Sequence, residues 1–262
     1  MSNGHTLIIK PEDYSKVSSN WEHVDTIEET RVVVKYNVTS TSNPTSLITN
    51  YENNIFKSME IDGVMLDELV TAYTFDTTGV HTVKYELYDE TKLGNNAYVF
   101  DTYNLIECII PNSVTSIGQS AFRGCGGLTS IDIPDSVTSI GDNAFMNCYN
   151  LTSIDIPDSV TSIGQSAFSG TDALKVLNYN AKCELSTSFR STWSNLETVI
   201  IGDSTSSISS GALSGCTNLT SITIGNSVTS IGNVAFAGCS SLTSIVSNAT
   251  TAPTILSNTF QS

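Results

Sequence analysis

The side chains from which catalysis or metal binding would have to be built are few in this 262-residue chain: three histidines and six cysteines among many serines and threonines. His5, His23 and His81 all precede residue 93, so the serine-rich remainder holds no imidazole to deprotonate a hydroxyl nucleophile. A Ser-His-Asp arrangement within residues 93–262 is therefore excluded. His5 and His23 bring no further ligand at metal-binding spacing and read as solvated polar residues. Cys125, Cys148, Cys216 and Cys239 lie far apart in sequence, never in the close pairs that zinc sites use. They fall at one position of a repeating unit, which marks them as small buried hydrophobes. Stacked copies would bring Cys125 and Cys148 within ~5–6 Å, inside disulfide reach. Parallel side-chain directions favour a ladder of thiols instead. Cys108 replaces a strand's apolar residue, and Cys183 sits in an irregular copy. No catalytic residue, metal ligand or cofactor site emerges, and an enzyme is not expected.

Two constellations suit recognition rather than chemistry. Asp132 and Asp155 occupy the same outward strand position in neighbouring copies, and Asp135 and Asp158 follow the prolines of those copies, so the four acids form a candidate docking patch for a basic partner. Like charges facing each other are destabilising, and copying of near-identical units is the favoured reading of the patch. The second constellation is the irregular copy over 174–195, which carries Lys175, Lys182 and Arg190 with Tyr179, Phe189 and Trp193. Aromatic and arginine side chains are what binding hot spots use. Counted along the repeat, however, Tyr179 and Trp193 fall at core positions, leaving Lys175, Asn178 and Arg190 as the candidate contacts.

These residues sit in a chain of formal charge −15, with 26 acidic against 11 basic side chains. That balance argues against a nucleic-acid partner, whose phosphates demand clustered Lys and Arg. Hydrophobic residues make up 39%, too many for an acidic disordered chain. No run approaches the ~20 apolar residues of a membrane span, so membrane insertion is not expected, and no leader is visible at Met1 to His5.

The element that positions the candidate residues is a 23-residue repeat. LTSIDIPDSVTSIGDNAFMNCYN begins at Leu128 and recurs at Leu151 and, less strictly, at Leu219; divergent copies begin at Leu105 and Leu196, an irregular one at Leu174 and a truncated one at Leu242. In the copy at Leu128, Leu128, Ile131 and Ile133 read as the buried side of a short strand, with Ser130 and Asp132 outward. Ser136 is placed to satisfy backbone groups of the following turn. Val137, Ile140, Ala144, Phe145 and Cys148 complete an interior that only stacking can bury, at ~4.8 Å per coil.

The pattern L-T-S-I-x-I-P-x-S-V-T-S-I-G-x-x-A-F-x-x-C resembles the BspA-type, or Treponema-type, leucine-rich-repeat family. The resemblance implies a curved solenoid with a parallel sheet on its concave face, and a bacterial surface module for adhesion or protein binding. Leu93-Gly94-Asn95-Asn96-Ala97-Tyr98 is similar to the second half of a unit and reads as a capping half-repeat over 93–104, ahead of about seven units that fill the solenoid over 93–262.

Residues 30–92 have a different texture. Stretches at 31–38, 56–61, 64–66, 70–75 and 80–88 read as strands, with Asp62-Gly63 as a hairpin turn. They suggest a small immunoglobulin-like β domain, preceded by an arm over 1–29. The expected function is non-enzymatic binding of a protein or glycan, without cofactor, at the cell surface. The alternative is a virion-displayed structural or host-attachment component.

Overall fold

In a computed structural model the described residues are 30–48, 55–94, 99–100, 103–187, 193–256 and 258–260. The N-terminal part is an antiparallel sheet in the order β4-β3-β6-β1, built from β1 (Arg31–Val38), β3 (Phe56–Ile61), β4 (Val64–Met65) and β6 (Gly79–Leu87). Strict alternation in β1 buries Val32, Val34, Tyr36 and Val38 on one side. Asp62 and Gly63 both adopt positive φ, 47° and 85°, and turn β3 into β4 as the sequence predicts. The stretch at 70–75 forms only two residues of strand, β5 (Ala72–Tyr73), against β2 (Thr45–Ser46).

From β7 (Lys92–Leu93) onward the chain is a parallel β-solenoid of about seven turns. Its main sheet contains β11 (Ser153–Ile156), β13 (Val176–Tyr179), β14 (Thr198–Ile201), β16 (Ser221–Ile224) and β18 (Ser244–Ser247), each parallel to the next. On the opposite side, two-residue strands at the Ser-Ile of each T-S-I-G motif make the back sheet. They are β9 (Ser116–Ile117), β10 (Ser139–Ile140) and β12 (Ser162–Ile163), then β15 (Ser207–Ile208), β17 (Ser230–Ile231) and β19 (Thr254–Ile255). Leu93 pairs in register with Ile117 of the next coil. Phe100 takes the repeat's phenylalanine place. Its N–H donates to the Ala121 carbonyl, as Phe122 donates to Ala144 and Phe145 to Ala167. The cap is thus two residues longer than a half-unit, a shift that its Ala-Tyr pair hides in the sequence.

Between the sheets the interior is sorted into ladders. The rings of Phe100, Phe122, Phe145 and Phe168 stack at 5.5, 5.2 and 5.4 Å. This column continues into the N-terminal sheet through Tyr85 and Phe56, so one core runs through both parts. Thr115, Thr138 and Thr161 each donate a hydroxyl to the carbonyl of the threonine one coil earlier, at 3.1 Å. Ser136 and Ser159 do the same toward Val114 and Val137 at 2.7 and 2.6 Å, the role expected of Ser136. The polar letters of the repeat therefore stitch coil to coil.

Coil contact also explains the glycine of each T-S-I-G. A Cβ on Gly141 would lie 2.6 Å from the Gln119 nitrogen and 2.7 Å from the Gly118 carbonyl carbon. Gly141→Ala is expected to cost about 1–3 kcal/mol by forcing two coils apart, and Phe145→Ala about 3–5 kcal/mol by opening the aromatic column. Urea unfolding followed by circular dichroism measures both; a midpoint unchanged for either would remove the tight-stacking account.

Candidate binding face on the main sheet

Outward positions of the main sheet form rows that cross the coils. One row runs Asp155, Asn178, Ile200, Thr223 and Val246, residues paired across successive strands. Ile200 and Val246 are 43% and 49% exposed although both are large and apolar. The first copy belongs to the N-terminal sheet instead. The first copy's strand, β8 (Leu105–Ile109), pairs antiparallel with β1, setting Ile109 beside Val33 and Glu107 beside Lys35. Val33 in turn lies beside Lys84, and Lys84 beside Glu60. The first copy's strand thus closes the N-terminal sheet, and the main sheet of the solenoid begins at β11.

The sequence-predicted acids are all on the surface. Asp132, Asp135, Asp155 and Asp158 are exposed. Asp155 accepts a hydrogen bond from the Asn178 side-chain amide, so these two predicted residues act as a pair. The Asn178 carbonyl oxygen is buried with no partner. Lys175 is exposed and forms an ion pair with Glu197 at 3.0 Å, a surface contact of little energetic weight. Arg190 and Phe189 lie outside the described residues. Trp193 is buried and donates its indole N–H to the Thr171 hydroxyl at 3.0 Å; Tyr179 is buried and donates to the Glu184 carbonyl at 2.9 Å. These two aromatics refill a core shortened by one residue. The hot-spot reading does not hold for them.

One expectation needs correction. The copy at Leu128 buries Leu128, Ile131 and Ile133 and exposes Ser130 and Asp132 as predicted, yet it forms no strand. Residues 130–133 join neither β8 nor β11 in a ladder; beside them, the Thr152 N–H and hydroxyl both donate to the Thr129 carbonyl. The cause lies in β8, whose other edge is held by β1 with a register shift at Lys35/Tyr36. Such bulges raise local twist and turn a strand from its neighbour. The coils close again beyond, where Ser136 reaches the Val114 carbonyl. A cleft of about 460 Å³ opens between, lined by Glu107, Ile109, Asn112, Ser130 and Asp132 among others. Backbone donors and acceptors of a strand that lacks partners are available to an extended ligand. Sequence reasoning missed this cleft because this copy carries the same letters, LTSIDIPDSVTSIG, as the copy at Leu151, where a strand forms.

A groove of similar size, about 470 Å³, runs along the back sheet over Gly94, Gly118, Gly141 and Gly164. It follows from coil packing at the glycines. Among the described residues, no three His, Cys, Asp or Glu side chains are placed to hold a metal ion, and no helix is long and apolar enough to cross a membrane.

The cysteines form the expected ladder of thiols. None is in a disulfide, and the thiols of Cys125, Cys148 and Cys239 point at the carbonyls of Phe100, Phe122 and Leu213, one coil back, at 2.8, 3.2 and 3.1 Å. Buried between coils, these groups fill volume and satisfy a carbonyl.

A family model for the BspA-type leucine-rich repeat region matches residues 91–189 and 185–262, with six copies. The chain belongs to the BspA-type leucine-rich-repeat family. Proteins of this family generally bind proteins or mediate adhesion. No curated protein matches the chain. Among solved structures, a leucine-rich repeat protein from Eubacterium ventriosum is 28% identical with a TM-score of 0.45, over 56% of this chain and 44% of that one. The leucine-rich repeat protein of T. pallidum is 30% identical with a TM-score of 0.39, over 51% and 63%. The pneumococcal vaccine antigen PcpA is 25% identical with a TM-score of 0.27, over 56% and 30%. The match thus spans about half the length of the first two of these proteins.

Burial pushes the Cys148 thiol up to about 12 from an ordinary 9.0, and raises Cys108, Tyr85 and Tyr179 in the same direction. An unfolded chain ionises these groups first, so the stability they hold is complete below about pH 9 and drains as pH rises from 9 toward 12. The urea midpoint should therefore fall between pH 9 and 11, less steeply in Cys148→Ala. Ellman's reagent at pH 8 should find at most the half-buried Cys183 and Cys239 in the native chain and all six thiols after unfolding. Rapid labelling of Cys125 or Cys148 in the folded chain would contradict the ladder.

Proposed function

We propose that the chain is a non-enzymatic binding module that holds a protein partner against the outward face of the main sheet. The observation that carries this reading is the row Asp155, Asn178, Ile200, Thr223 and Val246, in which large apolar residues stand half exposed among polar ones. Scattered exposed apolar residues flanked by polar ones suit a partner that buries the first and hydrogen-bonds the second. In this reading residues 30–92 form a distinct β unit that extends the surface, and 93–262 supply its larger part. Asp135, Asp158 and Lys175 border the face, and the acids favour a partner carrying Lys or Arg. Family membership supports a setting on the outside of a bacterial cell.

The test is binding of the purified chain to matrix proteins, mucins, glycans and intact bacterial cells by surface plasmon resonance or cell pull-down. Ile109→Asp with Ile200→Asp is expected to weaken capture at least tenfold while leaving the melting curve unchanged. Asp132→Asn with Asp155→Asn should slow association and reduce its salt dependence. Undiminished binding by both double variants would place recognition elsewhere, and capture by glycans alone would change the partner class.

A further inference from the structure

The cleft between β8 and residues 130–133 is a local gap in a stack that is closed around it. The same two coils meet tightly elsewhere: Ser116 and Ile117 pair with Ser139 and Ile140, the rings of Phe122 and Phe145 stack at 5.2 Å, and Ser136 donates to the Val114 carbonyl at 2.7 Å. Within the gap, the N–H and carbonyl groups of Ser130, Ile131, Asp132 and Ile133 make no main-chain hydrogen bond. One coil later the same residue types, Ser153–Ile156, form a strand of the main sheet. The facing strand β8 has β1 on one side and is the last strand of its sheet. Burial alternates along 130–133 as it does along a strand. A segment of this kind, with its main-chain groups free, is a template for a further strand.

The side chains of the cleft select what can add there. Glu107 and Ile109 stand on one wall, Ser130 and Asp132 on the other, and no Lys, Arg or His lines the recess. Ile109 is 51% exposed. Glu107 is already paired with Lys35 at 2.8 Å, whereas Asp132 is exposed and joins no ion pair among the described residues. We infer that this cleft binds an extended segment of a partner protein by strand addition, with a Lys or Arg of the segment facing Asp132 and an apolar side chain against Ile109.

The guest's main chain supplies the ladder that residues 130–133 lack, and its cation meets an acidic recess in a chain of net charge −15. A second copy of this chain is a poor occupant, because it brings further negative charge to that recess. The inference rests on the reading of the chain as a protein-binding module, but it uses a site apart from the row that starts at Asp155.

Fluorescence anisotropy with the whole chain and a labelled octapeptide of alternating valine and lysine tests this. Two further peptides accompany it: valine alternating with glutamate, and the lysine peptide methylated on all its main-chain nitrogens. The lysine peptide is expected to bind, the glutamate peptide at least tenfold more weakly through its charge, and the methylated one at least tenfold more weakly because it cannot donate to a ladder. Hydrogen exchange locates the site: the amides of Ser130 to Ile133, unbonded in the free chain, should exchange at least tenfold more slowly under saturating peptide. Asp132→Lys, at an exposed position, should weaken the lysine peptide at least tenfold with the melting curve unchanged, while Ile200→Asp should leave its affinity as it was. Absence of binding up to about 1 mM peptide overturns the inference. So does equal affinity for the methylated peptide, protection confined to other segments, or indifference to Asp132→Lys. Capture of a protein or cell that persists while the peptides fail would sink this inference and leave the earlier reading standing; peptide bound at 130–133 with no such capture would do the reverse.

Discussion

Every feature of this molecule depends on the spacing at which one coil meets the next. The phenylalanine rings stack at 5.2–5.5 Å, and threonine and serine hydroxyls reach the preceding carbonyls at about the distance of an ordinary hydrogen bond. Such a separation leaves no room for a Cβ at Gly118, Gly141 or Gly164. No single unit can bury its own interior, so each supplies half of its neighbour's core. The repeat is less a sequence of small folds than one long core cut into 23-residue lengths.

The two ends of that core are treated differently. At the start, the first repeat strand joins the antiparallel sheet through β1, and Phe56, Tyr85 and Phe100 extend the ring column. At the junction β8 has β1 as its ladder partner, and residues 130–133 of the following coil form no ladder with it. The cleft beside Glu107 and Asp132 lies at that break. In the last described coil Ile245 and Phe260 are half exposed.

The irregular copy shows how packing takes precedence over surface chemistry. Trp193 and Tyr179 are the kinds of residue that dominate interfaces, yet both lie inside, each with its polar atom hydrogen-bonded to a neighbouring turn. Lys175 lies against Glu197 on the surface. Asn178 is the residue of this copy that joins the outward row, through Asp155.

Sequence alone determined the coil period, the inward positions and the thiol ladder, because a 23-residue pattern of apolar letters admits only one stacking that buries them all. It also located β1, β3, β6 and the Asp62-Gly63 turn, where alternation and positive-φ residues act locally. Asp132 and Asp155 were legible as outward. Tertiary structure decided what those outward residues belong to. The pairing of β8 with β1, the loss of the strand at 130–133 and the two-residue extension before Phe100 arise from contacts between segments dozens of residues apart. No local pattern encodes them: the copies at Leu128 and Leu151 share the letters LTSIDIP, yet only the second forms a strand, so its neighbours, not its own residues, withhold the ladder of the first.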